Sequence, residues 1–200
     1  CHILTIEDPI EYVYPEKRAM VTQRELDVDT RSFAEALRRG FRQDPDVVMV
    51  GEMRDPETIQ LALTLAETGH LTFSTLHTGN CTQTVTRIID VFPPHMQDQI
   101  RSQLALSLEG VIAQRLLRRR GGGRIAAREI MIVTRAIRNL IREGKYNQIY
   151  TAIQTGIEHD MVTMEAALGQ LLTDGLIEFN VALEAAPHQR EFAEKYGGYV

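Results

Sequence analysis

Two hundred residues, 44% hydrophobic and 24% charged, suit one globular domain with room for a small appended one, and exclude a disordered chain. A net charge of −5 offers no overall basic field for nucleic acid, no apolar run approaches a membrane span, and no signal peptide is visible. Two cysteines, Cys1 and Cys81, are too few for a disulfide scaffold or a four-thiolate zinc site and fit a reducing cytosol.

In chain order, Cys1 to Ile6 reads as a strand that runs into Glu7-Asp8-Pro9-Ile10-Glu11. Pro9 stops regular pairing there, and three glutamate and aspartate carboxylates crowd into five residues, an arrangement that costs energy unless a cation or a proton uses it. Tyr12-Val13-Tyr14 and Met20 to Gln23 flank Pro15-Glu16-Lys17-Arg18 and read as a short hairpin. Ser32 and Glu35 have capping-box spacing, and Phe33, Leu37 and Phe41 recur at helical intervals. Val47-Val48-Met49-Val50, bounded by Asp44-Pro45-Asp46 and Gly51-Glu52, reads as a strand buried on both faces with an acid at its carboxyl end.

Asp55 is placed to cap a helix beginning with Pro56 and running from Glu57 to Thr68, closed by Gly69. Leu71 to Leu76 is a further strand, ending in His77-Thr78-Gly79-Asn80, and the alternation of strand and helix argues for a doubly wound parallel α/β sheet. A short helix spans Thr84 to Asp90, broken by Phe92-Pro93-Pro94, and a long one is expected from Gln97 to Leu117. Arg115 with Arg118-Arg119-Arg120 forms a local basic cluster, a solvated turn in its plainest reading, and Gly121-Gly122-Gly123 turns a hairpin into Ile125 to Val133. The remainder reads as helical, with Ala136 to Glu143 capped by Thr134, then Gln148 to Gln154 and Thr163 to Thr173. A polar tail from His188 to Val200 is expected to fray.

Glu7, Asp8, Glu11, Glu52, His70 and His77 all fall at or beside predicted strand ends, and a parallel sheet gathers such ends on one edge. A metal-hydrolase cluster is one reading, but no His pair has the short helical spacing that supplies two zinc ligands. Phosphoryl chemistry asks for an Mg²⁺ carboxylate, a carboxylate to orient water and a polar sensor of the γ-phosphate, roles that Glu52, Glu11 and His77 can fill.

Three segments carry a resemblance. Glu7-Asp8-Pro9-Ile10-Glu11 resembles the Asp box of secretion ATPases, Val47 to Asp55 their Walker B segment, and Thr68-Gly69-His70 through Thr75-Leu76-His77-Thr78 their His box. Ala136-Ile137-Arg138-Asn139-Leu140-Ile141-Arg142-Glu143 is similar to a motif that separates pilus retraction ATPases from assembly motors. The likeness covers His2 to about Ala186, with Arg135 where relatives usually carry proline.

The resemblance implies a RecA-like P-loop NTPase core over residues 1–133 and a helical C-terminal part over 134–200 that carries the retraction motif, Arg138, Asn139, Arg142 and Glu143. It implies a homohexameric ring hydrolysing ATP to drive type IV pilus retraction in twitching motility, cytoplasmic and peripheral at the inner membrane, acting on a pilus platform protein there. Glu11 becomes the catalytic glutamate, Glu52 the acid reaching Mg²⁺ directly or through water, Glu7 and Asp8 the Asp box, and His70 and His77 the nucleotide sensors. For His70 a satisfied histidine after a helix cap is an equal reading, and for the octapeptide a solvated helix face.

No Gly-x-x-x-x-Gly-Lys-Ser/Thr occurs in these residues, so the core is expected to lack its P-loop strand and helix, to begin after the Walker A motif, and to bind and hydrolyse ATP poorly alone. The alternatives are an assembly or type II secretion ATPase and a non-catalytic ring-assembly module.

Overall fold

The computed structural model describes residues 1–15 and 17–199, the chain's backbone being assigned throughout that range. It divides into two compact units, residues 1–77 with 88–108, and residues 78–87 with 109–200. No helix of the described residues is long and apolar enough to cross a membrane.

The first unit is built on a parallel α/β sheet. Strands β1 (His2–Glu7), β2 (Met20–Glu25), β3 (Val47–Val50) and β4 (Leu71–Ser74) lie in the order β2-β1-β3-β4, every pairing parallel. Helices α1 (Phe33–Gly40) and α2 (Pro56–Glu67) bury Phe33, Ala36, Leu37, Ala62 and Leu65 against Ile6, Val48 and Val50, and α4 (Pro94–Ser107) lies beside α2 through Gln103 and Gln60. The sheet is thus covered on one face by α1 and α2. On the other face Val47 and Met49 are half-buried and Leu71 and Phe73 exposed, so β3 is not the strand buried on both sides that its composition suggested.

The expected hairpin after β1 does not form. Residues 8–19 have no strand pairing among the described residues, and Glu16 of the expected turn lies outside them. Met20 pairs with His2 instead, in parallel, because residues 8–19 carry the chain back to the amino end of the sheet. Gln23 fixes that path, its side chain accepting from Tyr14 N at 2.9 Å and donating to Tyr12 O at 3.0 Å.

The capping signals are realised as written. Ser32 Oγ accepts from Glu35 N at 3.0 Å, Asp55 Oδ1 from Thr58 N at 2.8 Å, and Gly69, with φ 96°, turns the chain out of α2. The remaining helix of this stretch, α3 (Cys81–Asp90), begins three residues before the expected start, with Asn80 Oδ1 accepting from Gln83 N.

The second unit is centred on an antiparallel hairpin, β5 (Gly110–Arg118) with β6 (Arg124–Ile132), closed through Gly121-Gly122-Gly123, all at positive φ. The long helix expected to reach Leu117 ends at Ser107. Past Gly110 the side chains alternate, Val111, Ala113 and Leu117 inward and Ile112, Gln114 and Leu116 outward, which is strand periodicity. Helices α5 (Arg135–Arg142), α6 (Ile149–Thr155) and α7 (Met164–Thr173) follow, α5 and α7 capped by Thr134 and Thr163. The hairpin's Leu117 and Ala127 share one core with Met164, Leu168, Leu172, Ile177 and Phe192, so the hairpin belongs with the helices, and the compact division falls before residue 134.

The tail does not fray over its described length. Helices α8 (Phe179–Ala185) and α9 (Gln189–Tyr196) form because Phe192 is buried in that core, its ring 4.7 Å from Tyr196 and 6.4 Å from Phe179.

Candidate nucleotide site

All four strands of the first sheet point the same way, so their carboxyl ends meet along one edge. At the tip of β3 the chain passes close beside β1. Gly51 N donates to Ile6 O at 2.7 Å, and a Cβ on Gly51 would stand 2.8 Å from that oxygen and 3.2 Å from Glu7 Cα, so only glycine fits without displacing backbone. Met53 N donates to Thr75 O at 3.1 Å, and Thr75 Oγ1 donates to Gly51 O, tying the tip of β3 to the residues that follow β4.

Glu52 lies between these two ties, buried at 8% exposure. Its Oε2 is 3.2 Å from His77 Nε2, and its Oε1 is paired with Arg54 Nη2. The same guanidinium stands 3.9 Å from Asp8 Oδ2. One arginine therefore lies between the acid of the Walker B segment and the aspartate of the Asp box, and the His-box imidazole completes the cluster. A carboxylate withdrawn from water and flanked by two cationic or hydrogen-donating groups is arranged to face positive charge.

Glu7 is held differently. It is buried at the end of β1, its Oε1 accepting from Thr5 Oγ1 at 2.6 Å and Gln23 Nε2 at 2.9 Å, which makes it a structural acceptor under the loop. Ile10 N donates to Glu25 Oε2 at 3.0 Å and anchors the same loop from β2. Glu11, between Ile10 and Tyr12, is exposed, and its carboxylate makes no hydrogen bond or ion pair among the described residues. The expected meeting of Glu11 with Glu52 is thus not among the contacts of this structure.

His70 corrects the expectation of a single rim. It precedes β4 rather than following it, and in a parallel sheet that places it at the amino edge, opposite Glu52 and His77. Its Nδ1 lies 3.1 Å from Leu65 O and 3.0 Å from Thr68 Oγ1, and its ring meets Phe41 edge-on at 5.9 Å, the surroundings of a histidine closing a helix.

The octapeptide forms α5. Ile137 and Ile141 are fully buried, Arg138 Nη2 pairs with Glu109 Oε1 at 2.8 Å, and Glu143 Oε2 with Lys145 Nζ at 2.7 Å. Asn139 and Arg142 are exposed.

Two residues of the site escaped the sequence reading as individuals. Arg54 was visible only as a letter of the Walker B segment, although a cation two residues past a buried acid is a usable signal. Gln23 carried no signal, since its partners Glu7, Tyr12 and Tyr14 are set by the crossover path.

Comparison with known proteins identifies the relatives of this chain. The family described as type II/IV secretion system protein matches residues 1–178. The type IV pilus retractation ATPase PilT of Pseudomonas aeruginosa is 54% identical over 191 residues, 96% of this chain and 56% of that protein. A twitching motility protein of Neisseria gonorrhoeae is 53% identical over 194 residues, 96% of this chain and 51% of that protein. The chain thus spans about half the length of the curated relatives it matches. Among solved structures, the pilus retraction motor PilT with bound ADP superposes with a TM-score of 0.88 at 52% identity, covering 95% of this chain and 54% of that one. The ATPase DotB of Legionella pneumophila gives 0.81 at 30% identity, covering 90% and 50%.

Proposed function

The chain belongs to the type II/IV secretion system protein family, and from that premise we propose that it is the Walker B and His-box portion of a motor that hydrolyses ATP to retract type IV pili. The observation that carries the reading is the cluster of Glu52, His77, Arg54 and Asp8, which joins the three boxes at the carboxyl edge of the sheet. The extent of the likeness favours retraction over secretion. The pilus retraction relative matches 96% of this chain at 54% identity, whereas type II secretion system proteins match 58–74% of it at 37–49%.

In this reading Glu52 is the carboxylate that faces Mg²⁺, directly or through water. The residues present fit that ion in one specific way. Glu52 is a single carboxylate buried at the carboxyl edge of the sheet, and Mg²⁺ keeps waters and phosphate oxygens and takes only one or two carboxylates from a protein. When bound, the ion would supply charge neutralisation to the phosphates. Glu52, paired with Arg54, is the acid that would hold the ion at the sheet edge, and His77, 3.2 Å from Glu52 Oε2 with its side chain 86% exposed, can also reach a phosphate oxygen.

Glu11 is assigned the water-orienting role. Its backbone neighbours are fixed by Glu25 and Gln23 while its own carboxylate stays uncommitted, and placement of water demands position more than basicity. Gripping the phosphates is assigned to residues outside this sequence, which contains no Walker A motif. β4 is an edge strand with Leu71 and Phe73 exposed, a surface suited to a further strand and helix of the same core. The whole assembly is then a homohexameric ring working on a pilus platform protein at the inner membrane.

The test joins this chain to a phosphate-gripping segment and measures Mg²⁺-dependent ATP hydrolysis. Glu11→Ala and Glu52→Ala each lower turnover by about 100-fold or more, because phosphoryl transfer rests on placement and charge control. Full activity in both variants removes the hydrolytic roles of Glu11 and Glu52, and the boxes of this chain are then a ring-assembly surface rather than part of the reaction.

A further inference from the structure

Glu129 on β6 is an acid withdrawn from water, 2% exposed, that the nucleotide site does not use. A buried carboxylate is tolerated only where donors meet it, and here they come from two helices. Oε1 accepts from Cys81 N at 2.7 Å and Oε2 from Met164 N at 3.3 Å, the first residues of α3 and α7. Each helix already caps a deeper amide with its own side chain, Asn80 taking Gln83 N at 2.8 Å and Thr163 taking Ala166 N at 3.2 Å. Glu129 takes the amide each cap leaves over, where both helix dipoles present positive charge. The Cys81 thiol beside it contacts Val111 O at 3.5 Å, and burial, with Glu129 adding to it, drives its ionisation well above the usual thiol range, so Cys81 remains a neutral core group.

The placement of the two amides gives this acid a functional meaning. Cys81 follows His77 after only Thr78-Gly79-Asn80, and β6 runs directly through Val133 and Thr134 into α5. We propose that Glu129 is a positioning residue of the motor, pinning the segment that leaves His77 to the hairpin and helices that carry α5, so that changes at His77 during the ATP cycle are felt at α5. The assignment rests on the ATPase reading above for its functional half, and on the two contacts alone for its structural half.

Glu129→Gln keeps the size of the side chain but offers one acceptor oxygen and one N–H donor group, so one of the two helix amides meets a donor instead of an acceptor. Hydrogen exchange at Cys81 or Met164 is expected to accelerate about tenfold while circular dichroism stays unchanged. In the protein carrying this chain with a phosphate-gripping segment, kcat per folded molecule, with the folded fraction fixed by circular dichroism, is expected to fall about tenfold with KM for ATP within about twofold, whereas loss of folded protein lowers turnover only in proportion to the lost circular-dichroism signal. Glu178→Gln, a surface acid paired with Arg120, leaves all three readouts unchanged. Should Glu129→Gln not fold, the same readouts are taken on Glu129→Asp, which keeps the charge and shortens its reach.

Unaltered exchange at both amides overturns the assignment of the contacts. Faster exchange with undiminished kcat overturns the positioning role. Absence of hydrolysis by the unmodified protein removes the ATPase reading and the functional half with it, and is distinguished from both by the control chain itself.

Discussion

The hydroxyl of Tyr150 is harder to ionise than an ordinary phenol. Burial is the larger cause and the Glu165 and Glu191 carboxylates add to it, together pushing its pKa up to about 12 from 10.0. The folded state therefore holds a proton that the unfolded chain gives up first, so Tyr150's contribution to stability is complete below pH 10 and is lost as pH rises toward 12. Ultraviolet titration is expected to show a late-ionising tyrosine that Tyr150→Phe removes; a wild-type curve unchanged by that substitution contradicts the assignment. The acids and histidines of the candidate site were legible in unequal degree. Glu52 was readable because a β-branched run ended in glycine and an acid, whereas the placement of His70 needed the strand's direction, and His70 precedes Leu71. The pairing of Arg54 with Glu52 was open to a spacing argument, a cation two residues past a buried acid, but its reach to Asp8 depends on the path of the chain after β1.

Element by element, the signals that survived folding were local ones. Ser32 before α1, Asp55 before Pro56 and Thr134 before α5 each cap by their own side chain, and such interactions span three residues. Those that failed needed distant partners. Tyr12-Val13-Tyr14 has strand propensity but is held off the sheet by Gln23, and Val111, Ile112, Leu116 and Leu117 satisfy helical and strand spacing alike until the hairpin decides. On α5 the two kinds of residue separate cleanly. Ile137→Ala or Ile141→Ala is expected to cost about 2–4 kcal/mol in denaturant unfolding, since each vacates a fully buried position. Asn139→Ala and Arg142→Ala, on the exposed face, are expected to shift stability by no more than about 0.5 kcal/mol and, if the proposed motor uses this face, to impair pilus retraction by the whole protein. Loss of stability in the exposed pair, or normal retraction in both, contradicts the view that this face is used for function.

At the scale of the molecule, composition allowed a core sufficient for the chain's length, and alternation of strand and helix set the α/β class and the parallel order of the sheet. The boundary between units was not readable, because it depends on Leu117 and Ala127 of the hairpin choosing the core of α7 and α9 over that of the sheet. The account depends on charge at the sheet edge, and steady-state ATP hydrolysis by Glu52→Gln, in the protein that carries this chain with a phosphate-gripping segment, tests it most directly. The substitution keeps the size and an acceptor oxygen of Glu52 and removes its charge. Turnover is predicted to fall about 100-fold with folding unimpaired; turnover equal to that of the unmodified protein would contradict the assignment of Glu52.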